Sequence, residues 1–159
     1  MSLRVEASVR IERPPAEVFA FIAEPENLPR WDPAIREVRR REPGPVGLGS
    51  GLTVTAAEAG RSVVVDSHVT DYVPDRLFGV AATFSGVPLR LRWRLVPDGQ
   101  GTRVTAEGEA ELGGLMALAG GFVKGIVAER LSRAHANLKR ILEDADRDRG
   151  GDKGPLPTP

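Results

Sequence analysis

The sequence of 159 residues predicts an α+β fold, in which a curved antiparallel sheet of seven strands is combined with one long C-terminal helix. Two short helices follow the first strand. Three observations lead to this prediction. Apolar and polar residues alternate at the start of the chain, four turns place the middle of the chain in one consistent series of hairpins, and the last third repeats with the period of a helix.

The first strand and the two short helices are predicted before residue 34. Apolar residues occupy every second position from Val5 to Ile11, with charged or polar residues between them, as in a strand that is buried on one face. Pro14-Pro15 then opens a helix, because proline is tolerated in the first helical turn. Further prolines in residues 24–33 end this helix and leave room for only a short second helical turn near Trp31.

The middle of the chain is interpreted as a strand over residues 35–42 followed by five strands in consecutive hairpins. The four hairpin turns are placed at Ala59-Gly60, Pro74-Asp75, Ser85-Gly86 and Asp98-Gly99-Gln100-Gly101. In this register Trp93 faces Ala106 on one neighbouring strand and Phe78 on the other. Every pair on that face is apolar or small, and a slip of one residue would invert a whole strand, so the agreement predicts the register.

The same register divides the polar side chains of the sheet between two faces. Ser67 and Asp71 lie on the inward, apolar face. The outward face carries Asp66, His68, Thr70 and Tyr72. An Asp66–His68 dyad would reach the interior only if the register were inverted, so no acid–base pair is expected there. Asp71, near a strand end, is either solvated or faces the interior.

The C-terminal third predicts one long amphipathic helix. Its main apolar stripe consists of Met116, Val123, Val127, Leu131, Ala134, Leu138 and Ile141. A second apolar set, confined to the first half of the helix, consists of Leu115, Leu118, Phe122 and Ile126. His135 lies away from the main stripe. Five glycines between residues 113 and 125 loosen this first half, which suits a mouth or lid over the sheet, or a close approach of the two backbones.

Composition excludes several classes of protein. The chain has no cysteine, which removes disulfides and thiolate metal sites, and it has no His-Glu-x-x-His motif; we expect no metal and no cofactor. With 22 basic and 22 acidic residues, it lacks the positive charge of a nucleic-acid-binding protein. No apolar stretch is long enough to span a membrane, and the N-terminus lacks a secretory signal, so a cytoplasmic protein is expected.

The length suits one domain, which we place at residues 1–144. The charged and Gly/Pro-rich residues 145–159 are expected to form a disordered tail.

Four arginines form a basic cluster after the second helix, namely Arg36, Arg39, Arg40 and Arg41. They either protect a strand edge or contact an anionic partner.

Two stretches resemble a known family. Residues 11–33 read IERPPAEVFAFIAEPENLPRWDP, and residues 137–143 read NLKRILE. The first phrase, followed by a meander of strands and the second at the end of a long helix, resembles the START-like or SRPBCC superfamily, which includes polyketide cyclase/dehydrase-like proteins. The resemblance implies a helix-grip fold, in which the sheet wraps around the long helix and leaves a deep apolar cavity between them.

The residues expected to face that cavity combine the resemblance with the predicted register. They are Trp31, Val54, Val65, Ser67, Val69, Phe78, Val80, Phe84, Leu91, Trp93, Phe122, Ile126 and Arg130. Polar groups among them are few. Asp71 is the one catalytic candidate, because a carboxylate facing the cavity could accept a ligand hydroxyl or act as the base in an aldol-type cyclisation.

Three functions remain open. The leading hypothesis is binding of an apolar or amphipathic small molecule, such as a lipid, an isoprenoid or a polyketide, because apolar concave sites with few polar groups are typical of ligand pockets. The alternative is a polyketide cyclase or dehydratase that acts in the same cavity. The third is a partner-binding module that uses Leu115, Leu118 and Phe122. The expected partner is a small apolar ligand, and the chain is expected to be a monomer or a weak homodimer.

Overall fold

A computed structural model describes residues 1–150 of the chain, with side chains to residue 145. The strands are β1 (Ser2–Ile11), β2 (Ile35–Arg40), β3 (Gly51–Glu58), β4 (Arg61–Val73), β5 (Leu77–Phe84), β6 (Val87–Asp98) and β7 (Gly101–Glu111). The helices are α1 (Pro15–Ile22), α2 (Leu28–Trp31), α3 (Leu115–Leu118) and α4 (Gly120–Gly150), and a 3-10 turn spans Pro25–Asn27. The tail predicted over residues 145–159 lies largely outside the described residues and stays a prediction.

All seven strands form one antiparallel sheet in the order β1-β7-β6-β5-β4-β3-β2. From β2 to β7 each strand pairs with the next in sequence, and β1 pairs with β7 along its whole length, so β1 and β2 are the two edges of the sheet. Helix α4 packs against β1 and α2, so the long helix lies on the inner face of the sheet. The predicted α+β architecture, with its two short helices after β1, is confirmed.

Tight turns hold the hairpins in register. Ala59 and Gly60 both have positive φ, and so do Ser85 and Gly86. This is the backbone conformation of a type I′ turn, whose twist matches that of the strands it joins. The β5–β6 and β6–β7 pairings follow the register predicted from sequence, including Trp93 between Phe78 and Ala106.

The pairing of β4 with β5 departs from the predicted register at one point. Val69 pairs with Val80 as expected, but a β-bulge follows, and Asp71 then pairs with Gly79 and Tyr72 with Phe78. One extra residue on β4 exchanges the two faces beyond it. The expectation that Asp71 shares the inward face was therefore wrong.

The bulge also moves Tyr72 from the outward to the inward face of the sheet. It was predicted to face outward, yet its ring meets Phe19 of α1 and Phe78 of β5 edge to face, at centroid distances of 5.4 and 6.2 Å. Beyond it, Trp93 stacks on Phe78 at 6.1 Å and meets Trp31 edge to face at 5.6 Å. These rings form a continuous aromatic core between the sheet and the short helices.

His135 on α4 is also buried, although it lies off the main apolar stripe of the sequence. Its side chain is 2% exposed, and neither ring nitrogen has a hydrogen-bond partner. The buried face of α4 is wider here than the apolar stripe, since Ala134, His135 and Leu138 are all enclosed. Because burial disfavours the charged imidazolium, it lowers the pKa of His135 to about 4.

This burial makes the free energy of unfolding depend on pH between about 4 and 6.5. In that window the unfolded chain binds a proton at residue 135 and the folded chain does not, so folded-state stability falls as the pH falls. We expect His135→Phe to gain stability relative to the wild type by on the order of 3 kcal/mol between pH 8 and pH 4. Urea unfolding followed by tryptophan fluorescence at both pH values measures this; a difference that is independent of pH would contradict it.

Candidate functional site

A cavity of about 490 Å³ lies between the inner face of the sheet and the first half of α4. It is located toward the β3–β4 and β5–β6 hairpins, on the side away from the aromatic core. Its lining comprises Leu3, Val5, Asp32, Glu58, Phe84, Ser85, Val87, Leu89, Arg90, Leu91, Gly108, Glu109, Ala110, Leu112, Met116, Val123, Val127, Arg130 and Leu131. Apolar side chains predominate, as in pockets that bind small organic molecules.

Small residues on β7 form part of the cavity wall and let neighbouring side chains pack close to the strand. Leu91 pairs with Gly108, and Leu89 with Ala110, so the inward leucines of β6 meet little side-chain volume on the next strand. A Cβ atom added at Gly108 would come within 2.9 Å of Val5 Cγ2 and 3.4 Å of Leu91 Cδ1. A side chain at residue 108 would therefore have to displace Val5, and glycine at this position lets Val5 and Leu91 lie against the β7 backbone.

One ion pair contributes the main polar group of this lining. Arg130 of α4 donates from Nη2 to Asp32 Oδ2 at 3.0 Å and from Nε to Asp32 Oδ1 at 3.4 Å. Asp32 Oδ1 also accepts the backbone N–H of Ala34 at 3.0 Å. The Asp32 side chain is 11% exposed and that of Arg130 is 47% exposed, so the carboxylate is enclosed while part of the guanidinium is open. The pair joins the end of α2 to α4 at the wall of the cavity.

The other charged residues of the lining differ in their partners. Glu58 accepts a hydrogen bond from the Ser85 hydroxyl at 3.3 Å, and Glu109 pairs with Arg4 at 3.3 Å. Arg90 lies opposite Glu109 in the β6–β7 ladder, and both residues reach the edge of the cavity from the outward face of their strands. The lining therefore contains three carboxylates and two guanidinium groups.

A second hollow, of about 670 Å³, lies on the opposite face of the sheet. Asp66, His68, Arg90 and Glu109 line it, and by register they all point outward from the sheet. It has no helix over it, so it is an open trough and not an enclosed site. The cavity under α4 is therefore the candidate functional site.

Three of the residues predicted for the cavity line it: Phe84, Leu91 and Arg130. Most of the others lie on the same inner face but belong to the solid core. The buried members of this group are Trp31, Ser67, Val69, Phe78 and Trp93, and the half-buried members are Val54 and Val80. Val65 is half-buried and lines the hollow on the opposite face instead. Ser67 donates its hydroxyl to the Ala81 carbonyl, so it is already satisfied.

Phe122 and Ile126 do not face the cavity, contrary to expectation. They are 75% and 54% exposed, and Leu115 and Leu118 are more than 80% exposed. Helix α4 turns Val123, Val127 and Leu131 toward the sheet instead. Successive residues of a helix are about 100° apart, so Phe122 and Ile126 point away from the cavity, whereas Leu115 and Leu118 belong to the separate helix α3.

Sequence reasoning missed several lining residues for which a signal existed. Met116, Val123, Val127 and Leu131 are members of the main apolar stripe of the helix, and that stripe could have been assigned to the cavity directly. Leu3 and Val5 of β1 belong to the first alternating stretch. Asp32 had no such signal, because its partner Arg130 is 98 residues away in sequence.

Asp71 lies on the outer face of the sheet, where Arg92 pairs with it at 3.4 Å and the Thr70 hydroxyl donates to it at 2.8 Å. It cannot act within the cavity.

Each arginine of the basic cluster already has a partner within the chain. Arg36 donates to Ser62, Arg39 pairs with Glu37, Arg40 with Glu24 and Glu26, and Arg41 with Asp66.

An antiparallel sheet that encloses a long C-terminal helix, with an apolar cavity between them, defines a helix-grip protein of the START-like class. Within that class, the sequence profile of one family, described as polyketide cyclase / dehydrase and lipid transport, matches residues 2–143. The chain belongs to this family. Among curated proteins, no sequence matches the chain.

Solved structures share the fold at low sequence identity. The protein TTHA0849 from Thermus thermophilus has a TM-score of 0.74 at 18% identity, over 89% of this chain and 98% of its own. A START superfamily protein from Mycobacterium smegmatis has a TM-score of 0.71 at 18% identity, over 90% and 99%. The Zhui aromatase/cyclase from a Streptomyces species has a TM-score of 0.68 at 18% identity, over 98% and 100%. Within residues 1–150, no helix is long and apolar enough to cross a membrane.

The position of Asp71 leads to a direct test. Asp71→Asn removes the charge that pairs with Arg92, and we expect it to lower the free energy of unfolding by less than about 1 kcal/mol, as for other partly exposed ion pairs. Because the side chain points away from the cavity, binding of Nile red, a neutral apolar dye, should be unchanged in a fluorescence titration. A large loss of dye affinity in a variant of normal stability would contradict the outward placement.

Proposed function

We propose that this protein binds one apolar or amphipathic small molecule, of the lipid, isoprenoid or polyketide type, in the cavity under α4. The observation that carries the proposal is the cavity of about 490 Å³ with its predominantly apolar lining. This volume is within the range of about 300–1,000 Å³ that is typical of small-molecule sites. The family to which the chain belongs includes lipid transport in its description, which agrees with such a role.

The lining also explains why an apolar ligand would be held. Leu89, Leu91, Val123 and Val127 present aliphatic surface to the cavity. Burying apolar surface contributes roughly 25 cal/mol per Å² removed from water, and this gain is shared by the ligand and the lining. A ligand of suitable size would therefore stabilise the fold to a degree that rises with its concentration.

Catalysis as a polyketide cyclase or dehydratase is the second candidate, favoured by the fold shared with aromatase/cyclases and by the description of the family. Such chemistry needs a group that moves a proton within the cavity. Asp71 is on the wrong face, which leaves Asp32 and Glu58 as the inward carboxylates of the lining. Asp32 already accepts hydrogen bonds from Arg130 and from the backbone N–H of Ala34, so Glu58 is the inward carboxylate without an arginine partner among the hydrogen bonds of the lining.

Native mass spectrometry of freshly purified protein distinguishes these roles. A binding protein should carry an adduct that organic extraction recovers unchanged. An enzyme should convert the extracted compound on prolonged incubation with excess protein, and the mass of the compound would then shift. Conversion that is abolished in Glu58→Gln, with binding retained, would replace the binding role with the catalytic one.

Filling the cavity provides the matching mutational test. Val123→Trp places a large ring into the lining, and we expect the affinity for Nile red to fall about tenfold or more, equivalent to about 1.4 kcal/mol. The matched control is Val96→Trp, because Val96 is half exposed on β6 and does not line the cavity. Both variants are titrated after their thermal unfolding has been compared. Equal affinities of the two variants for Nile red would show that the dye binds outside this cavity and would contradict the proposed site.

A further inference from the structure

The Asp32–Arg130 pair gives the cavity a polar element with both donors and an acceptor. Asp32 Oδ2 accepts one hydrogen bond from Arg130, and a carboxylate oxygen can accept two. Arg130 uses Nε and Nη2 for Asp32, and Nη1 has no acceptor in the described part of the chain. Both residues line the cavity. A bound molecule could therefore donate to one and accept from the other.

We propose that this pair makes the cavity selective for neutral amphipathic molecules whose polar end is a hydroxyl group, over molecules that end in a carboxylate. The inference rests on the proposed binding function and names the class of ligand for that site. Asp32 and Arg130 are its specificity-determining residues. A hydroxyl group both donates and accepts, so one group satisfies the free positions on Asp32 and Arg130 together.

A carboxylate fits the same place less well because it can only accept hydrogen bonds. It would be received by Arg130 but would lie beside the carboxylate of Asp32, and like charges in a partly enclosed site repel. Asp32 already holds Nε and Nη2 of Arg130, at 3.4 and 3.0 Å. A ligand carboxylate would therefore reach Arg130 through Nη1 alone and would lack the two-point contact that strengthens an arginine–carboxylate pair.

The remaining charges of the lining also disfavour a ligand that ends in a carboxylate. Glu58 adds a second carboxylate to Asp32, against the single guanidinium of Arg130, while Arg90 and Glu109 have opposite charges and lie opposite each other in the β6–β7 ladder. Counted over the lining residues alone, the carboxylates exceed the guanidinium groups by one; Arg4, which pairs with Glu109, lies outside the lining. Bringing a further anion into it costs electrostatic free energy, whereas a neutral head group leaves the balance unchanged.

The test compares two probes that differ only in the head group, 1-decanol and decanoate, by isothermal titration calorimetry on the full chain at pH 8. We expect the wild type to bind 1-decanol about tenfold or more tightly than decanoate. Asp32→Asn removes the negative neighbour and should reduce this preference to less than threefold. Arg130→Gln leaves the carboxylate of Asp32 without its cation. It should therefore increase the preference for 1-decanol over decanoate.

The two variants are expected to change the preference in opposite directions, and a general loss of structure would not do so. Arg133→Gln is the control, because Arg133 lies on the same helix with a side chain that is 71% exposed, paired with Glu129. It should leave both affinities unchanged. If Asp32→Asn does not fold, Arg130→Gln and the wild type still decide the outcome.

Each result has one meaning. Equal binding of both probes, or tighter binding of decanoate, overturns the inference and leaves the binding function in place. A preference that neither variant alters also overturns it, because the pair would then not be its cause. If neither probe binds to the wild type up to the solubility limit of 1-decanol, while Nile red does, the inference fails alone; if none of the three binds, the proposed function fails with it.

Discussion

Trp93 contacts the rings of Trp31 and Phe78, and this packing ties the sheet to the short helices. Its place on β6 determines which residues of the two neighbouring strands face inward, because the side chains of a strand alternate strictly. The inward leucines of β6 are therefore fixed in position once Trp93 is buried. The position of the cavity, the register of the hairpins and the packing of α4 on the sheet all depend on the inward orientation of the Trp93 side chain.

The core and the cavity are made by the same strands with the same alternation of side chains, and they differ in the size of those side chains and in the helix that covers them. Trp93 fills the space over Ala106, whereas two residues along β6 the smaller Leu91 stands over Gly108. Val5 and Leu91 pack closely onto Gly108, so the cavity lies beyond these side chains, where β6 presents leucines and not a tryptophan.

The architecture and the hairpin register could be predicted because the pairing chosen for each strand had to agree with that of the next strand. Only one register placed apolar residues together on the inward face and polar residues together on the outward face. The bulge after Val69 escaped this check because an inserted residue leaves both flanking patterns intact, so Asp71 and Tyr72 were placed on the wrong faces. The rotation of α4 posed a similar problem, since two apolar sets compete for one sheet and only the packed structure decides between them. The Asp32–Arg130 contact spans 98 residues and leaves no local pattern to detect.

The pairing of β1 with β7 has a consequence for how the chain is made. Ser2 pairs with Glu111 and Ile11 with Thr102, so β1 has no partner until the last strand of the sheet has been synthesised. Its alternating apolar face stays uncovered while the intervening hairpins form. Contacts this distant in sequence slow folding, and an unpaired strand edge is prone to association with other chains. During synthesis, β1 is therefore the strand of the sheet that stays unpaired for longest.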